Sequence, residues 1–436
     1  MKHLILTSIL AIGLSTALLA QDPLRLAGGD ISLLPSYEQY NTPYKDQQGA
    51  TISDLVTYAA TTLHWNACRV RLFVDPCITN PDNGKRQGEV QDLQYVAALG
   101  KRIKDAGMYF LLDFHYSDTW ADPVKQTIPA GWQSLSEAEL LDTMYTYTRM
   151  CLRALVDAGA TPDYVQIGNE ISYGMLWRGT SKNTTDKVYP RDSYTKNPAN
   201  WERFTNLLSN GARAVREVCP DAQIIIHIER TADATACVQY FGNLNHYNVD
   251  YDIIGLSYYP FWHGRLTTEL PNTLKALHGS YPDKPIQIVE TAYYNNYWPT
   301  SGISYDTRET YPATPAGQDA FLGDLVTKLQ EYDYVNGLYY WFPEENGCGG
   351  ATWNANTIVI DDWLNRGLFD PNNHKAYAGL YRIGAYAVTP ASVEAVSTDS
   401  RDANYYTLLG VSMGADRAQL PAGLYIHQGK KVHITK

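Results

Sequence analysis

Apolar residues along this chain gather into short, nearly unbroken runs, and most runs end on polar side chains. The runs are LRLAGGDIS (24–32), CRVRLFV (68–74), MYFLLDFHY (108–116), YVQIGNE (164–170), AQIIIHIE (222–229), YDIIGLSYY (251–259), PIQIVETAY (285–293) and VNGLYYWF (335–342). Runs of this length without alternation read as strands covered on both faces. Helical spacing of apolar residues fills most of the gaps, over 92–107, 139–159, 202–218 and 317–332. The first two of these end on Gly107 and Gly159, a helix-stop signal. Eight strands alternating with helices predict an α/β fold, a closed (β/α)8 TIM barrel, with an open doubly wound sheet as the alternative. No G-x-G-x-x-G follows the first run, which argues against a dinucleotide-binding sheet.

The two ends break the pattern. Residues 1–20, MKHLILTSILAIGLSTALLA, combine Lys2, a long apolar stretch and Ala20, and read as a secretory signal peptide. An uncleaved anchor is the other reading. The chain is expected to be exported, to the periplasm or the cell surface. No later stretch has the ~20 apolar residues of a membrane span. After residue 387 comes a polar linker, VTPASVEAVSTDSR, then NYYTLLGVSM and AGLYIHQGKKVHITK, which read as short strands. The expected organisation is therefore a signal (1–20), a barrel domain (21–387) and a linker with a small C-terminal β segment (388–436).

Composition narrows the function. A net charge of −11 without a basic run disfavours nucleic acid. The chain holds 34 Tyr and 10 Trp, which suits stacking against sugar rings, although a Tyr-rich surface is the plainer reading. Of the six cysteines, Cys68, Cys77, Cys151, Cys219, Cys237 and Cys348, none forms a C-x-x-C pair, so no zinc site is expected. Disulfides and free thiols remain equally open.

In such a barrel, chemistry sits at the C-terminal ends of the strands. Arg69 and Arg71 lie two apart on the second run, and Asp113 and His115 two apart on the third. Asn169 and Glu170 end the fourth run. His227 and Glu229 come late in the fifth, Tyr258 ends the sixth, Glu290 the seventh and Trp341 the eighth. Two carboxylates facing across a pocket are the minimum apparatus for glycoside hydrolysis. Strands four and seven lie three steps apart around the barrel, so Glu170 is assigned as acid/base and Glu290 as nucleophile. Arg69 or Arg71 is expected to keep Glu290 ionised, unless the pair serves only a salt bridge inside the barrel. Tyr258 is expected to hydrogen-bond Glu290, Asn169 to hold a sugar 2-hydroxyl, and Trp341 to floor the pocket. For His115 and His227 a structural hydrogen bond and a substrate contact are equally open.

Several blocks, in order, resemble the endo-β-1,4-galactanases of glycoside hydrolase family 53, a clan A family. They are GGDIS (28–32), RVRLFVDP (69–76), FLLDFHYSDTWADPVKQ (110–126), VQIGNEI, DIIGLSYYPFWHG (252–264), IVETAY and LYYW. The resemblance implies a monomeric barrel enzyme without a cofactor, acting by retaining endo-hydrolysis on pectic galactan and type I arabinogalactan. It places the acid/base and nucleophile on Glu170 and Glu290. It implies substrate contacts at Asp113, His115, Asp118, Trp120 and Asn169. The tail resembles the small C-terminal β segment of many exported Bacteroidetes proteins. Two departures stand out. The family's YYWEPAW reads YYWFPEENG here (339–347), followed by a long loop with Trp353 and Trp363 that is expected to border the cleft. The segment 291–310 lacks the Asp/His cluster with which some relatives bind calcium, so no metal is expected. Competing readings are another clan A endo-glycanase, such as a β-mannanase or endo-glucanase, and a non-catalytic glycan-binding barrel.

Overall fold

The computed structural model describes residues 24–39, 41, 43–76, 89–296, 298–299, 301–347, 365–388, 404–407, 413–414, 416–421, 423–427 and 430–434. All eight expected strands form: β1 (Leu26–Asp30), β2 (Ala67–Leu72), β3 (Tyr109–Phe114), β4 (Tyr164–Ile167), β5 (Gln223–Ile228), β6 (Ile253–Ser257), β7 (Ile286–Thr291) and β8 (Val335–Trp341). They close into one parallel barrel in sequential order, β8 pairing with β1. The signal-like segment 1–20, the linker core 389–403, Cys77, Cys348, Trp353 and Trp363 lie outside the described residues.

Seven helices alternate with the strands: α1 (Leu55–Thr61), α2 (Leu93–Asp105), α3 (Glu137–Asp157), α4 (Pro198–Val218), α5 (Ala234–His246), α6 (Glu269–Ser280) and α7 (Pro315–Gln330). The sequence pattern names α2, α3, α4 and α7. It misses α1 because seven residues are too few to establish a period. It misses α5 and α6 because Gly242, Pro271 and Gly279 interrupt their apolar stripes. Capping explains several starts: Asp92 accepts from the Tyr95 N–H, and Ser136 and Glu139 form a reciprocal capping box. After β8, among the described residues, two 3-10 turns, Ala378–Tyr381 and Ile383–Tyr386, pack against α7 and β1.

One apolar residue from each strand builds the inner layer of the barrel: Leu26, Ala67, Leu111, Tyr164, Ile225, Ile253, Val289 and Tyr339. Strand side chains alternate faces, so the next inward positions along the strands stand above this layer. On β2 these are Arg69 and Arg71, on β3 Asp113, on β4 Gln166, on β5 His227, and on β6 Gly255 and Ser257. The inner layer is the dry floor on which the polar groups rest. A second cluster, Tyr405, Leu420, Tyr425 and Ile434, belongs to the C-terminal antiparallel sheet of β9 (Tyr405–Thr407), β10 (Gly423–His427) and β11 (Lys430–Ile434).

The four cysteines among the described residues, Cys68, Cys151, Cys219 and Cys237, are buried and free. Gly28 marks the tightest approach in the barrel wall. It pairs with Ala67, whose carbonyl oxygen would lie 1.8 Å from any Cβ placed there. Gly28→Ala must push β1 and β2 apart, and is expected to cost about 3 kcal/mol. Urea unfolding measures this, and an unchanged midpoint would refute the close packing.

Candidate active site

The polar cluster above the floor is organised by Arg69. Its Nη1 bonds Asp30 Oδ2 at 2.8 Å and Glu290 Oε1 at 2.9 Å. Its Nη2 bonds Asp113 Oδ2 and Asn169 Oδ1, each at 2.8 Å. Arg71 adds a second cation on Asp30 Oδ1 at 3.1 Å, and its guanidinium lies 4.2 Å from the centre of the Trp120 ring. Both arginines are buried. Asp113 also accepts from Gln166 Nε2 at 2.6 Å and contacts His115 Nε2 at 3.1 Å. Burial works to raise the Asp113 pKa, but Arg69 and His115 outweigh it and hold the carboxyl below the usual range.

Glu290 reaches this cluster because β7 is irregular. On β6, Leu256 pairs with Ile288 and the next residue, Ser257, pairs with Glu290. On β8, Leu338 pairs with Ile288, whereas Tyr340 pairs with Thr291. The strand therefore carries one extra residue at Val289 against both neighbours. Val289 already points into the barrel, so strict alternation would send Glu290 outward. The bulge turns it back inward.

Glu170 arrives by a different route. β4 stops at Ile167, and the chain passes through left-handed backbone at Gly168 (φ 86°) and again at Glu170 itself (φ 49°). That conformation costs a non-glycine residue roughly 1–2 kcal/mol. Its carboxyl Oε1 accepts from Ser257 Oγ at 2.6 Å. Glu290 Oε2 accepts from the Tyr259 hydroxyl at 2.9 Å.

Both acids line one cavity of about 230 Å³. Burial raises the Glu170 pKa well above the ordinary range, and the charges of Glu290 and Glu229 add to this. Burial also raises that of Glu290, but Arg69 and the Tyr259 hydrogen bond pull it back. Both carboxyls thus stand above the ordinary range, Glu170 well above it and Glu290 less far, because Arg69 and Tyr259 offset part of the burial at Glu290.

Of the residues expected at the site, Glu170, Glu290, Asn169, Trp120 and Trp341 line the cavity. Arg69, Arg71, Asp113 and His115 stand behind that wall, buried, as the support of Glu290 and Asn169. His115 bonds Asp113 and accepts the Ala121 N–H at 3.0 Å. Asp118 accepts the backbone N–H groups of Asp75 and Ala130, which makes it a tie between loops. Tyr258 requires a correction. Its hydroxyl donates to the Gly264 carbonyl at 3.0 Å, and Tyr259 is the residue bonded to Glu290. Alternation decides this: Ile253, Gly255 and Ser257 face inward, so Tyr259 follows them and Tyr258 faces the helices. Glu344 and Glu345, which open the segment after β8, face away from the cavity. Both are buried, Glu344 accepting the Leu33 N–H at 3.0 Å and Glu345 accepting from the Tyr37 hydroxyl.

The sequence reading also missed Asp30, Trp262 and Arg366. Asp30, the third residue of the block GGDIS, ends β1 as an inward residue, a signal available from spacing. Trp262 lies in the single helical turn Pro260–His263 and Arg366 in a loop, and neither is long enough to show a period. Arg366 sits 5.0 Å from the centre of the Trp341 ring and lines the cavity, so the end of the long loop does border the cleft. Among the described residues, no group of three or more His, Cys, Asp or Glu is placed to hold a metal ion.

A model of glycosyl hydrolase family 53 matches residues 26–381. The arabinogalactan endo-beta-1,4-galactanase of Cellvibrio japonicus is 32% identical over 381 residues, covering 85% of this chain and 93% of its own length. The endo-beta-1,4-galactanase of Bacillus subtilis is 29% identical, covering 80% of this chain and 83% of its own. A GH53 catalytic domain from Ignisphaera aggregans superposes with a TM-score of 0.71 at 31% identity, over 84% of this chain and 97% of that one.

The two tyrosines can be told apart. Tyr259→Phe removes a donor from the Glu290 carboxylate and is expected to raise its pKa by about one to two pH units. Tyr258→Phe is expected to leave that pKa unmoved and to cost about 1 kcal/mol of stability. NMR titration of isotope-labelled glutamate carboxyls reads both, and equal shifts in the two variants would contradict the assignment.

Proposed function

The chain belongs to glycosyl hydrolase family 53, and on that premise we propose that Glu170 and Glu290 are the pair with which it cleaves. The enzyme is a glycoside hydrolase that cuts β-1,4-galactosidic linkages within galactan and type I arabinogalactan, with retention. Glu290 attacks the anomeric carbon while Glu170 gives its proton to the departing glycosidic oxygen. The electron pair of the breaking C–O bond goes to that oxygen, and a galactosyl ester forms on Glu290. Water then attacks the ester, giving its proton to Glu170, and the released sugar keeps the β configuration.

The observation that carries the roles is the unequal setting of two acids on one cavity. Glu290 has Arg69 at 2.9 Å and a phenol at 2.9 Å. The charges that bear on Glu170 are those of Glu290, Glu229 and Asp122, all negative. A carboxyl in that company holds its proton, as a general acid must. Asn169 is suited to the sugar 2-hydroxyl. Its Oδ1 is taken by Arg69 and one N–H by the Ala121 carbonyl at 2.8 Å, which leaves a second N–H to donate. Trp341 and Trp120, 6.1 Å apart and edge to face, give the sugar ring flat apolar walls.

Chemical rescue tests the roles and the substrate together. Glu290→Ala is expected to fall below about a thousandth of wild-type turnover on unbranched galactan. Azide then enters from the face Glu290 vacated and yields an α-galactosyl azide from an activated galactoside. Glu170→Ala still forms the ester with an activated leaving group, and azide yields the β-galactosyl azide. Exchange of the two stereochemical outcomes would reverse the roles. Turnover of mannan with none of galactan by the wild-type enzyme would overturn the substrate.

A further inference from the structure

Behind Glu170 lie two buried side chains that no step above uses. Ser257 Oγ donates to Glu170 Oε1 at 2.6 Å, and His227 Nε2 lies 2.8 Å from Ser257 Oγ. A serine hydroxyl has one proton. Once that proton is given to Glu170, the contact with His227 must be a donation from Nε2–H. The other ring nitrogen agrees. Nδ1 faces the Glu170 backbone N–H at 3.4 Å and the Gln166 amide nitrogen at 3.1 Å. The Gln166 amide gives one proton to Asp113 Oδ1 at 2.6 Å, which leaves the other for Nδ1. Asn169 Oδ1 also lies 3.0 Å from Nδ1, but a proton on Nδ1 would leave the Glu170 N–H without this acceptor. Two donors thus make Nδ1 an acceptor, and the tautomer assigned from this network carries its proton on Nε2. Burial, then the charge of Arg69, keep the imidazole neutral by holding its pKa well below the ordinary value.

We infer that His227, acting through Ser257, is a positioning residue that keeps the acid proton of Glu170 on Oε2. The chain runs one way, from His227 Nε2–H to Ser257 Oγ and from Ser257 Oγ–H to Glu170 Oε1. Oε1 is therefore an acceptor whether the carboxyl is protonated or ionised. The proton rests on Oε2, passes from there to the glycosidic oxygen, and returns to Oε2 from water in the second step. His227 and Ser257 keep their own protons throughout. The charged groups facing Glu170 are Glu290 on β7, Glu229 at the end of β5 and Asp122 from the loop after β3, while Ser257 on β6 supplies the hydrogen bond that favours its carboxylate. The inference rests on the acid/base reading of Glu170.

The test is the pH dependence of kcat/KM on galactan and on a dinitrophenyl galactobioside, whose leaving group needs no proton. Ser257→Ala is expected to lose about tenfold or more on galactan and little on the activated substrate. Its basic limb on galactan moves to higher pH, because the Glu170 carboxylate has lost a donor. His227→Ala shows the same pattern more weakly, and His227→Gln, whose side-chain amide can donate to Ser257, recovers most of the loss. Ser257→Cys, nearly isosteric with a weaker donor, moves both readouts in the same direction if an alanine variant fails to fold. Equal losses on the two substrates with an unmoved basic limb would overturn the inference. If Glu170→Ala itself loses equally on both substrates, the acid/base reading fails and the inference fails with it.

Discussion

The Arg69 guanidinium is the interaction on which the mouth of the barrel depends. It joins carboxylates from β1, β3 and β7 and the Asn169 amide after β4, all buried. Burying an ion costs several kcal/mol even after relaxation, and a pair repays that only with near-ideal hydrogen bonding. The planar fork supplies it, with both terminal nitrogens engaged at 2.8–2.9 Å. A lysine could not span these four partners. Asp30 and Asp113 matter in turn because they hold the fork still. The cation that favours an ionised Glu290 is therefore also the strut that fixes Asn169, so charge and geometry at the site cannot be tuned separately.

That strut works against a backbone bent to suit it. Regular strands would deliver neither acid. β7 needs its extra residue to bring Glu290 inward, and Glu170 sits in left-handed backbone. Tyr116, just past β3, and Phe342, just past β8, are left-handed as well, at φ 50° and 76°. Strain of this sort persists only where the surroundings over-determine it, and here it collects on the rim that carries the chemistry. The hydrogen bonds of Tyr259, Ser257 and Arg69 are what hold the two carboxyls in these unfavourable positions.

This division explains what was legible in the sequence. The strands were readable because apolar runs with polar tips encode both burial and the direction of the open end. Glu170 and Glu290 stood out for the same reason, and the resemblance of seven blocks to family 53 pointed the same way. Alternation correctly put Arg69 beside Arg71, and the same rule carried along β6 would have chosen Tyr259 over Tyr258. The bulge at Val289 leaves no such mark, since only the pairing of β7 with its neighbours reveals it. Arg366 and Trp262 were invisible for another reason: residues of a loop and of a single helical turn reach the cavity by tertiary placement, and no period foretells it.

Glu344 and Glu345 are paired carboxylates at the start of a loop, a setting that is normally solvated. They are instead buried against the first turn of the chain, bonded to the Leu33 N–H and the Tyr37 hydroxyl. Burial pushes the Glu345 pKa up to about 7 even against the hydrogen bonds that favour its carboxylate. Tyr37 and the Gly347 N–H at 2.7 Å are among those donors. The loop is thus stapled to the barrel at its start, and among its described residues Arg366 lines the cavity, its guanidinium near the rings of Trp341, Trp262 and Tyr294. A cation held against aromatic faces keeps those rings oriented without placing another carboxylate beside Glu170. The acid/base contrast between Glu170 and Glu290 therefore depends on the two loop acids being turned away from the cavity as much as on Arg69 being turned towards it.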